Sequence, residues 1–179
     1  MRRTLALVAL VCVVAAGQLA AQAAPPPPSA PAVATLAASF AEVASYVEKS
    51  AEQMPEADFA FRPTPEVRSF GQLIGHVAEV NYLVCSLVLG ESNPGENVER
   101  DKSAKADLVE ALRGSLATCR RAFAMSDGEA AATVALWGSE QPRLAGLTIV
   151  LTHTWEHYGN LVTYLRLKGR VPPSSRPPA

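Results

Sequence analysis

Residues 143–169, RLAGLTIVLTHTWEHYGNLVTYLRLKG, decide the fold. The run contains no proline, and Leu144, Leu147, Leu151, Leu161 and Leu165 recur along it at helical spacing. Gly169 offers a stop, so the segment predicts a helix over 143–168. Two of the chain's three histidines, His153 and His157, lie four residues apart inside it. That spacing puts both imidazoles on one helix face, one turn apart, where both can reach a single metal ion.

Outward from this helix, proline sets the boundaries, because a proline in a helix interior removes a hydrogen bond and clashes with the preceding turn. Inside the chain only Pro55, Pro63, Pro65, Pro94 and Pro142 interrupt the apolar sequence. They leave three more helical stretches. The first covers about 33–54, with Phe40, Val43, Val47, Ala51 and Met54 on one face. The second covers 70–89, with Ser69 and Gln72 as a capping box, Leu73, Val77, Val80, Val84 and Leu87 as the stripe, and Gly90 as the stop. The third covers about 104–125 after Ser103 as cap, with Leu108, Leu112, Leu116, Cys119 and Phe123 inside and a Ser126-Asp127-Gly128 turn behind it. Four helices of about 30 Å each pack most simply as an all-α four-helix bundle. No segment alternates with period two, so no strand is expected. The polar segment 91–102 is long enough to cross the bundle, and 126–141 reads as a loop or a short extra helix.

Composition agrees. Of 179 residues, 49% are hydrophobic and 18% charged, too apolar for a disordered chain and enough for one core. A net charge of −1 shows no basic excess and excludes the electrostatic footprint of a nucleic-acid binder.

The ends read as separate from the domain. Residues 1–23 have the form of a secretory signal peptide: Arg2 and Arg3, an apolar run from Leu5 to Ala16, and small residues around Ala21-Gln22-Ala23. The run is short for a membrane span. Its cleavage would leave no membrane span, place the protein in the periplasm or outside the cell, and take the net charge to −3 by removing Arg2 and Arg3. Residues 24–32 form a proline-rich linker, 33–171 the bundle, and 172–179 a proline-rich tail expected to fray.

His76 lies early in the second helix, and a bundle builds metal sites from facing helices. Zn²⁺ or Ni²⁺ suits an all-imidazole set. The competing reading is three packed or exposed histidines in a non-catalytic binding or scaffold bundle. Glu79 shares the face of His76, and Glu156 adjoins His157, so either could act as a base or a further ligand, or be a solvated charge. Trp155 points away from the histidines, and Tyr82, Asn81, Tyr158 and Asn160 read as ordinary bundle residues. Gly75 and Gly159, close to His76 and His157, read as close packing or as room beside a site. An unknown small molecule is the expected partner, and an apolar bundle face is compatible with a homodimer.

The segment His153 to Pro173, HTWEHYGNLVTYLRLKGRVPP, resembles the last helix of the DinB-like family of four-helix bundles, and RPTPEVRSFGQLIGH over 62–76 resembles its second. The resemblance spans about 33–173. It implies an up-down-down-up topology and a three-histidine metal site at His76, His153 and His157. It also implies metal-dependent transfer or isomerisation with a low-molecular-weight thiol. Gly159-Asn160 departs mildly from the family's Gly-Gln. The export signal departs further, because such thiols are cytosolic. The implied topology sets the second and third helices parallel, with Cys85 and Cys119 at similar heights. Outside the cytosol a disulfide could join them, and the alternative is two small core residues.

Overall fold

The structure, a computed structural model, describes residues 31–176. The signal peptide and most of the proline-rich linker lie outside the described residues. Four long helices carry the fold: α1 (Ala32–Gln53), α2 (Phe70–Leu89), α4 (Lys105–Ala122) and α6 (Arg143–Leu167), with short helices α3 (Val98–Asp101) and α5 (Asp127–Ala131) between them. The apolar stripes read from the sequence meet in one core, in which Phe40, Phe70, Met54, Ile74, Leu112, Leu147 and Leu161 are fully buried. α2 is long and apolar enough to cross a membrane, but over half of it is buried within this core.

Local signals set most boundaries. The Ser69 hydroxyl accepts the Gln72 N–H while the Gln72 side chain accepts the Ser69 N–H, and Gly90 closes α2 in the left-handed region at φ 74°. The third long helix is shorter than its stripe. It starts after Ala104, without a side-chain cap, so Ser103 does not play that part. Of the two readings of 126–141, a short extra helix is present: the capping box of Ser126 with Glu129 starts α5.

Two expectations are corrected. The chain is not wholly helical, because β1 (Thr133–Leu136) and β2 (Ser139–Pro142) pair antiparallel, with Thr133 opposite Pro142 and Leu136 opposite Ser139. Trp137 and Gly138 turn the hairpin with positive φ at both residues, the twist a two-residue turn needs. Four-residue strands are too short to show an alternation. The C-terminal tail does not fray as far as Arg176. Pro172 and Pro173 are buried, and the Ser174 N–H donates to the Tyr158 hydroxyl, which in turn donates to the Ser174 hydroxyl.

Contacts give the helix directions. Gly71 meets Leu108, and Cys85 is bonded to Cys119, so positions advance together along α2 and α4. Gly146 lies against Val84 and Val88 while Tyr164 donates to the Arg68 carbonyl, so α6 runs against α2. Tyr46 packs on Trp155 and Tyr158, and Trp155 donates to Ser39, on the α1 side, away from the histidines. The Cys85–Cys119 bond, with its Cα atoms 5.2 Å apart, joins α2 to α4 in the core.

Candidate metal centre

His76 sits on the second turn of α2, and His153 and His157 sit on successive turns of α6. Side by side in opposite directions, the two helices turn these faces toward each other. The Nε2 of His153 is 3.2 Å from the Nε2 of His76 and 3.0 Å from the Nε2 of His157. One nitrogen from each ring falls within 4.8 Å of the others. An ion held at about 2.0–2.1 Å with tetrahedral angles spaces its nitrogen ligands about 3.3 Å apart, and the two separations from His153 are close to that value.

The charge state fits as well. Burial pushes His153 down to about 3, and His157, His76 and Arg68 act in the same direction. His157 is also lowered, by burial first and then by His76. At neutral pH both rings are therefore neutral, and each has one lone pair to offer a cation.

The outer nitrogens decide which lone pairs face inward. The His76 Nδ1 lies 2.9 Å from the Glu99 Oε2, so a proton on Nδ1 is donated to the carboxylate and the Nε2 lone pair is left for the centre. The Asn160 amide lies 3.3 Å from the His157 Nδ1, and half a turn of that amide presents its oxygen as acceptor. The His153 Nδ1 is buried with no partner among the described residues. The residues present therefore fit a divalent ion: three imidazole nitrogens converge and two of the rings have polar partners on their outer nitrogens.

The two expected carboxylates fall differently. Glu79 is not part of the histidine cluster; its Oε2 accepts the Glu99 backbone N–H at 3.0 Å. Glu156 is exposed and lines a cleft of about 590 Å³ that opens beside His157, with Arg68, Asn160 and Tyr164 also in its walls. The carboxylate actually set against the histidines is Glu99, which the sequence did not single out. Its one signal is Gly75: a Cβ there would stand 2.9 Å from the Glu99 Cα, so the missing side chain admits α3 to the helix surface. Gly159 has open space instead. Asn160 is not an ordinary bundle residue but the neighbour of His157.

A helical bundle with three histidines converging between two of its long helices is the class that fold and site define. The chain belongs to the DinB superfamily, whose family model matches residues 39–161. The fold is shared with solved structures of low sequence identity. A DinB-like protein of Bacillus cereus is 15% identical with a TM-score of 0.67, covering 77% of this chain and 93% of that one. A conserved protein of Enterococcus faecalis is 16% identical with a TM-score of 0.63, covering 78% and 98%. A DinB-like protein of Bacillus subtilis is 17% identical with a TM-score of 0.62, covering 76% and 94%. No curated protein matches the chain in sequence.

Proposed function

We propose that the protein is an exported metal-binding member of the superfamily that acts on a small molecule in the cleft beside His157. His76, His153 and His157 hold Zn²⁺ or Ni²⁺. Bound there, such an ion lowers the pKa of a water or thiol and polarises a carbonyl, the chemistry of hydrolysis or thiol transfer. Glu156, one of the carboxylates on the cleft wall and next to His157 in sequence, takes a proton from the bound molecule in this reading. Glu79 serves the site through the Glu99 backbone.

The helix directions given by the contacts support an up-down-down-up bundle. The Cys85–Cys119 disulfide supports export, since such bonds persist in oxidising compartments. Export separates the chain from cytosolic thiols and favours hydrolysis over thiol transfer.

The observation that carries this reading is the convergence of the three Nε2 atoms. Metal analysis of protein purified without a nickel column tests it. Stoichiometric zinc or nickel is expected in the wild type and little in His153→Ala. Wild-type protein without metal, or a His153→Ala variant that keeps it, would overturn the reading.

A further inference from the structure

We infer that Glu99 is a positioning residue of the metal centre and that α3 exists in this chain to carry it; the inference rests on the metal reading above. Glu99 is 23 residues from His76 and on a different element, yet its two carboxylate oxygens have separate, directed partners. Oε2 faces the His76 Nδ1 at 2.9 Å, and Oε1 accepts from the Arg68 Nε at 2.8 Å. The backbone is fixed too, because the Glu99 N–H donates to the Glu79 Oε2 at 3.0 Å. Gly75, one residue before His76, provides the space for the Glu99 Cα. Arg68, Glu79 and Gly75 thus hold one carboxylate against one ring.

The chemical result is specific. A carboxylate on Nδ1 locks the proton there, so His76 presents its Nε2 lone pair to the centre, and the negative charge makes that nitrogen a better donor to a cation. Without it the ring is free to carry its proton on Nε2 and turn that atom from ligand to hydrogen-bond donor. His76 needs this device more than the α6 pair, because it is the lone ligand on its helix. Arg68 also lies in the wall of the cleft, so the same ion pair ties the cleft to the centre.

Full-length Glu99→Ala and Glu99→Gln proteins test the proposal. Zn²⁺ affinity is measured by competition with a chromophoric chelator, and the His76 tautomer in metal-free protein by long-range proton–nitrogen NMR. Glu99→Ala is expected to bind Zn²⁺ about 10- to 100-fold more weakly. Glu99→Gln, which keeps an acceptor but loses the charge, should fall between it and the wild type. The tautomer should be Nδ1–H in the wild type and mixed in Glu99→Ala. Affinity of folded Glu99→Ala within twofold of the wild type overturns the proposal and leaves the metal site standing. If Glu99→Ala does not fold, wild-type affinity in Glu99→Gln overturns it. A wild type that binds no Zn²⁺ overturns both readings.

Discussion

His153 is the residue on which most of the site's physics converges. Its Nε2 is 3.2 Å from that of His76 and 3.0 Å from that of His157, and burial holds it neutral down to a pH of about 3. An unfolded chain protonates the same ring near 6.5, so between those values the unfolded state binds more protons than the folded one. Metal-free protein should therefore lose stability steadily as the pH falls from about 6.5 toward 3, and gain nothing from pH above 7. Thermal melts in chelator at a series of pH values measure this; a melting temperature flat across that range would contradict it. Gly75 makes a second residue-level case. On an open helix surface, glycine to alanine gains up to about 1 kcal/mol. Here the new Cβ meets the Glu99 Cα at 2.9 Å, and overpacking of this kind costs about 1–3 kcal/mol, so the clash wins. Gly75→Ala should lower the melting temperature of metal-free protein and also weaken Zn²⁺ binding, by displacing Glu99.

At the scale of elements, α2 is the centre of the design. It packs on α4 through Leu108 and the Cys85–Cys119 bond and on α6 through Val84, Val88 and the histidine pair. Its ends are locally specified, by the Ser69–Gln72 capping box and by left-handed Gly90. The disulfide closes a loop with a sequence separation of 34 that contains α3. Removing it with Cys85→Ala and Cys119→Ala should cost about 2–4 kcal/mol, chiefly by freeing the unfolded chain, and denaturant titration of oxidised wild type against the double variant reads the difference. Equal midpoints would mean that packing alone sets the α2–α4 interface. The loss should extend to metal affinity, since α3 and Glu99 lie on that loop.

At the scale of the whole molecule, the ion and the fold are coupled, because its ligands come from α2 and α6. Metal at 100 times its Kd should stabilise the folded state by about 2.7 kcal/mol. Calorimetry with and without chelator should show this as a fall in Tm on stripping; an unchanged Tm would mean that the helices hold the histidines together without help from an ion. The sequence by itself determined what is local. Apolar residues at helical spacing and the five internal prolines placed the four long helices, and the Ser69–Gln72 capping box with Gly90 made α2 correct at both ends. A four-residue interval put His153 and His157 on one face whatever the rest of the chain did. Tertiary structure alone decided the rest. Glu99 reaches His76 with α3 settled over Gly75, the hairpin at 133–142 pairs strands too short to show a period, and Pro173 is buried in a turn whose Ser174 is hydrogen-bonded to Tyr158. Short segments hold little structure of their own, since a single turn or a lone hairpin does not repay its ordering entropy in water. Their conformation, and with it the carboxylate behind the proposed metal ligand, comes from contacts between residues far apart in sequence.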